Sequence, residues 1–130
     1  QLREREGKTM DSHPEGFNKE PSILETGPLA SPRAKLLQDA IELVTKSRNN
    51  TYGPPSQDFA RSAGMLNALG FSGPEGRPIR SVDIAYIIIC VKLYRAMWSD
   101  KYDTVLDIAG YAACAWDCIV EELRAGGVDV

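Results

Sequence analysis

Apolar residues recur along this chain at intervals of three and four, in four blocks, the first three separated by glycine- and proline-rich breaks and the last by the short link Ser99-Asp100-Lys101-Tyr102. The first block opens at Ser31-Pro32, a capping serine followed by proline in the first helical position. Leu36, Leu37, Ala40, Ile41 and Val44 then fall on one face. Lys35, Gln38, Asp39, Glu42 and Lys46 occupy the other, which predicts an amphipathic helix ending near Ser47. The second block starts at Ser56 with Gln57 and Asp58 in its first turn, and carries Phe59, Ala63, Leu66 and Leu69 to a stop at Gly70.

Ser81 reads as the cap of a third helix over Val82 to Trp98. It is apolar nearly all round from Ile84 to Val91 and is therefore expected at the centre of the fold. The isoleucines of that run also suit a buried strand, but the length of the segment and its cap favour a helix. The fourth helix covers Asp103 to Ala125, with Val105, Ile108, Ala109, Ala112, Trp116, Ile119 and Leu123 in register and Gly126-Gly127 as its stop. The predicted fold is all-α: a compact four-helix bundle over residues 31–126. Residues 1–30, rich in glycine and proline and without apolar period, read as a flexible N-terminal arm.

Composition narrows the function. The chain has 130 residues, enough for one core, and a net charge of -3 that speaks against a nucleic-acid backbone as partner. No apolar run approaches the length of a membrane span, and no secretory signal is visible, so a cytoplasmic location without membrane contact is expected. Cys90, Cys114 and Cys118 fall within apolar helical patterns and read as buried free thiols.

Charges inside apolar helices need partners. Lys92 and Arg95 share one face of the third helix, and Asp103 and Asp107 share one face of the fourth, in line with Tyr111, Cys114 and Cys118. Asp83, in the first turn of the third helix, suits the helix dipole. An ion pair of Lys92 or Arg95 with Asp107 would pin the two helices together. The alternative is a pocket in which the cations hold phosphate oxygens and the aspartates hold Mg²⁺.

The connection Arg48-Asn49-Asn50-Thr51-Tyr52-Gly53-Pro54-Pro55 carries more chemistry than a turn requires. Gly53 suits a positive φ, an asparagine suits a cap, and the prolines stiffen the exit. Arg48 and Tyr52 are left over. In a binding role Arg48 meets an anion, Asn50 reads a polar edge, and Tyr52 stacks on a base or sugar.

Three strings, R-N-N-T-Y-G-P-P, K-L-Y-R from Lys92 and D-T-V-L-D-I-A-G-Y-A-A-C from Asp103, resemble an uncharacterised family of small tailed-phage proteins. The resemblance runs from about Leu36 to Ile119. More remotely, the arrangement is similar to the MazG-like all-α nucleoside triphosphate pyrophosphohydrolases. Those enzymes use helix-borne acids and Mg²⁺ to release pyrophosphate and are usually dimers or tetramers.

That likeness implies a phage-encoded protein in the host bacterial cytoplasm that binds a nucleotide and hydrolyses it. Asp103 and Asp107 would be catalytic metal ligands, with Arg48, Asn50, Tyr52, Lys92, Arg95 and Tyr111 binding the ligand and a homo-oligomer as the working form. The chain departs from the Glu-Glu-x-x-Glu and Glu-x-x-Asp helices of those enzymes: its first helix offers Asp39 and Glu42, and Glu121-Glu122 lies at the far end of the fourth. Two other readings use the same residues: a non-catalytic accessory protein that sequesters a nucleotide signal or binds a host protein, and a structural helical oligomer.

Overall fold

The computed structural model of the chain describes residues 27, 30–47 and 51–130. The chain divides into two units, Gln1–Ala30 and Ser31–Val130. The proposed arm, apart from Gly27 and Ala30, lies outside the described residues, as do Arg48 and Asn50. Those residues form four α-helices and no strand, as the periodicity predicts.

Helix α1 spans Pro32–Glu42. Ser31 adopts an extended conformation and its Oγ accepts from the Ala34 N–H at 3.2 Å, the cap expected from the sequence. The helix does not end cleanly. Leu43–Ser47 forms a π turn, and the Thr45 hydroxyl donates back to the Ile41 carbonyl at 2.7 Å. Such back-bonding competes with the regular ladder and accompanies the widened turn.

Helix α2, Pro55–Ala68, is capped by Pro54 without a side-chain bond, so Ser56 is not the cap. Gly53 has the positive φ expected of it, 78°. After α2, Gly70 (φ 88°) turns the chain into a loop that Asn67 clamps: its Nδ2 donates to the Ile79 carbonyl and its Oδ1 accepts from the Ile79 N–H at 2.7 Å.

Helix α3, Ser81–Ala96, takes Arg80 as its cap, and Ser81 is already helical. Asp83 explains the shift. Its Oδ2 accepts from the Arg80 N–H at 2.7 Å, and both its oxygens accept from Arg77, at 2.6 and 2.8 Å. The Arg77 guanidinium holds the Asp83 carboxyl below the usual range, against the opposing effect of partial burial. The dipole role foreseen for Asp83 is therefore joined by an ion pair that the sequence does not reveal.

Helix α4, Tyr102–Ala125, is the hub. It packs closely on α1, α2 and α3, whereas the backbone of α1 does not come close to that of α2 or α3. This corrects the expectation that α3 is central. Only Val82, Ile84 and Ala85 of α3 are buried, all in its first turns, and its outer side stays open. The small residues Gly110, Cys114, Ala115 and Cys118 let α4 take the middle, because neighbours can approach its backbone closely. Phe59 and Ala63 of α2 complete the core against them.

Cys90 is exposed on α3, so only Cys114 and Cys118 are the buried thiols expected. Leu37 and Ile41 are likewise exposed, since α4 covers only one side of the α1 stripe. The Tyr102 hydroxyl donates to Asp39 and ties α1 to the start of α4. No helix among the described residues is long and apolar enough to cross a membrane.

Candidate functional site

On α4 the residues Asp107, Gly110, Tyr111 and Cys114 follow one another at three- and four-residue steps and so share a face. That face forms one wall of a hollow of about 320 Å³, near the lower bound for small-molecule sites. Leu43 and Val44 of the π turn make the second wall, and Thr51 and Tyr52 the third. Thr51 and Tyr52 have helical backbone, where a turn was expected. Arg61 of α2 donates to the Tyr52 carbonyl at 3.3 Å and fixes that wall to the bundle.

Gly110 stands at the closest approach of the π turn to α4. A Cβ there would lie 3.2 Å from Leu43 Cδ2 and 3.8 Å from Val44 Cγ1. Glycine in the D-I-A-G-Y string thus lets the π turn sit against α4. Tyr111 is held from behind by Phe59, with ring centroids 6.3 Å apart and planes at 29°. Tyr52 and Tyr111 also border a second hollow of about 230 Å³, which includes Asp58, Ser62, Ile84 and Ile88. Asp58 and Ser62 were not foreseen as site residues. Asp58 reads locally as a first-turn acid, and only the packing of α2 beside the two tyrosines places it there.

Lys92 donates to Asp107 at 2.7 Å, joining α3 to α4. The side chains are 22% and 34% exposed, so the pair sits at the rim, between a fully screened surface contact and a buried one. The structural ion pair and the pocket weighed from the sequence thus share a residue, since the same Asp107 carboxylate lines the hollow.

The remaining expected residues stand apart. Arg95 and Asp103 are exposed, and neither lines the two hollows. Among the described residues no three His, Cys, Asp or Glu side chains gather as a metal set. With the Asp107 carboxylate on an ammonium and Asp103 outside the hollow, the donors in place do not fit the Mg²⁺ site inferred from the spacing. No catalytic step is derived through that ion.

The arrangement offers apolar sides, two aromatic rings and one carboxylate at a half-open mouth. The matching family model, a domain of unknown function (DUF6378), covers residues 35–119. The chain belongs to this family. The DUF6378 region holds α1 from Lys35, all of α2 and α3, and α4 through Ile119, and therefore every wall of the hollow.

A curated relative, the Gene 55 protein of Mycobacterium phage D29, is 34% identical over 80 residues, which is 61% of this chain. The chain spans about half the length of that phage protein. The phage family expected from the motifs is thereby found. No solved structure matches the chain, and the likeness to MazG-like enzymes finds no counterpart among these comparisons.

Proposed function

We propose that this DUF6378 chain is a phage-encoded protein that binds a nucleotide, or a related small ring-bearing phosphate compound, in the host cytoplasm. The observation that carries the reading is the meeting of Tyr52, Asp107 and Tyr111 around one hollow, although Tyr52 and Asp107 are 55 positions apart in the chain. A planar heterocycle suits two tyrosines and apolar sides, because base–aromatic stacking contributes roughly 1–3 kcal/mol per base. The carboxylate of Asp107 accepts only, so it favours a ring edge that carries N–H donors.

The hollow takes a ring and sugar better than a whole triphosphate, which leaves the phosphates near its mouth. Lys92 does not line the hollow, but its bond to the lining residue Asp107 makes it the cation proposed to meet them. Arg48 and Asn50, which precede Thr51 in the sequence, are the proposed further anion and edge contacts. Arg95 belongs to this set if α3 shifts on binding.

Binding without hydrolysis is the favoured form, because Asp107 is engaged by Lys92 and Asp103 lies outside the lining. Sequestering a nucleotide signal fits this better than pyrophosphate release, which requires a carboxylate-held metal. The test is a thermal-shift series with nucleosides, mono-, di- and triphosphates, with and without Mg²⁺, read beside a pyrophosphate assay. A ligand at one hundred times its Kd should stabilise the fold by about 2.7 kcal/mol. Stabilisation without turnover supports the proposal. Turnover restores the MazG-like reading, and the absence of any shift rejects both.

A further inference from the structure

The outer side of α3 carries an unbroken apolar stripe. Tyr86, Ile87, Val91, Tyr94, Met97 and Trp98 recur at helical spacing and are 45% to 84% exposed. No charged residue interrupts the chain from Ile84 to Val91. Nothing among the described residues covers the stripe, since α2 and α4 take the other side of α3 and α1 packs elsewhere.

From the structure we infer that this face binds the same face of a second copy of the chain, in a two-fold antiparallel dimer. Three observations point to a copy of this chain as the occupant. The first is area. With aromatic side chains offering about 150–250 Å² each, the exposed fractions of the six residues amount to on the order of 700–800 Å². That approaches the roughly 800 Å² per partner of a standard stable interface and exceeds the largest apolar patch of an ordinary monomer, about 300–600 Å².

The second is shape. The N-terminal half of α3 borders an apolar groove of about 420 Å³, between Ile87, Cys90 and Val91 on the helix and Pro74 and Ile79 on the preceding loop. The turn that ends α3 carries a projection. Trp98 is 76% exposed and braced edge-on by Tyr94, with centroids 6.3 Å apart, and Met97 beside it is 84% exposed.

The third is register. Groove and projection lie at opposite ends of this stripe, with Ile87 and Trp98 about 16 Å apart when the 1.5 Å helical rise is carried through the cap residue Met97, which keeps helical φ/ψ. A two-fold axis near Leu93, midway between them, therefore seats the Trp98 projection of each copy in the groove of the other. An isologous contact needs this self-complementarity, and a partner of unrelated shape would not require both features on one helix.

The full chain supplies the test, independent of any nucleotide. Sedimentation equilibrium should return twice the 14.3 kDa of the monomer. Val91→Asp and Trp98→Asp should each raise the dissociation constant by about 100-fold or more, since each buries two unpaired carboxylates at the contact. Circular dichroism should show unchanged helicity for both.

Should either variant misfold, the wild-type chain still decides. Cys90 is exposed within one helical turn of the inferred axis, while Cys114 and Cys118 are 2% and 1% exposed. A short bismaleimide should thus link two chains through Cys90, and Cys90→Ser should abolish the link. A monomer at all micromolar concentrations overturns the inference. So does a dimer broken by Trp116→Asp but not by the α3 variants, which would place the contact on α4. A monomer whose Cys90 resists maleimide overturns it too, because another part of the chain would then cover the face.

Discussion

Substituting Gly110 examines the hollow from its narrowest point. Glycine inside a helix is about 0.8–1.0 kcal/mol less favourable than alanine. Gly110→Ala should recover that amount unless the new methyl is crowded. The added Cβ would meet the terminal methyl Leu43 Cδ2 at 3.2 Å and Val44 Cγ1 at 3.8 Å. Only the first is tight, and it belongs to the far end of a side chain that borders about 320 Å³ of open space.

Leu43 can therefore turn a few tenths of an ångström into the hollow at little cost. The expected result is a net gain of about 0.5 kcal/mol, below the full propensity term. In a closed core the same methyl would cost roughly 1–3 kcal/mol through overpacking. Urea unfolding followed by circular dichroism, at one fixed protein concentration, separates the two. A loss of more than 1 kcal/mol would show that Leu43 has nowhere to go, and the hollow would lose its standing as a site.

Other outcomes follow from the same geometry. A double-mutant cycle of Lys92→Met and Asp107→Asn should give a coupling of about 1–2 kcal/mol, between the 0–1 of exposed pairs and the 3–5 lost when a buried pair is broken. A coupling near zero would leave Asp107 without a structural role. Phe59→Ala should cost about 3–5 kcal/mol in chemical unfolding, because Phe59 is 2% exposed and backs Tyr111. A loss under 1 kcal/mol would contradict the core described here.

Asp83 supplies a pH dependence. Its folded carboxyl is held below the ordinary 3.8 by Arg77, so its ion pair contributes fully above that value and is lost as pH falls through the folded one. The stability gap between wild type and Asp83→Asn should be constant from pH 6 to 8, narrow below about 4 and close in stronger acid. A gap that widens in acid would reverse the assigned sign.

Much of the helical layout was legible because amphipathic spacing is a local signal. Ser31 and Pro32 mark the start of α1, Gly53 and Gly70 mark turns with positive φ, and Gly126 stops α4. Caps that depend on distant partners were not legible. Asp83 moves the cap of α3 from Ser81 to Arg80 by accepting from the Arg80 N–H, and Arg77, folded back from the loop, adds an ion pair that the spacing does not announce.

The centre of the bundle was misjudged for a related reason. The run Ile84 to Val91 is more apolar than α4, yet small residues, not greasy ones, qualify a helix to be surrounded. The surplus apolar character of α3 is spread over its open face. Of the candidate site, the Asp107, Tyr111 and Tyr52 convergence follows from α4 periodicity and the odd chemistry of the connection. Asp58 and Ser62 join only through tertiary packing, and Asp103, exposed in the first turn of α4, lines neither hollow.

Calorimetric titration of nucleotides into the wild-type chain and into Gly110→Leu tests the central claim most directly. The leucine side chain would occupy the hollow while keeping a helix-favouring residue in α4, and a thermal melt verifies that it folds. The account predicts heat of binding for at least one nucleotide with the wild-type chain, and at least about tenfold weaker binding, or 1.4 kcal/mol, once the hollow is filled. Equal affinity in both chains, or no heat with any nucleotide, would contradict it.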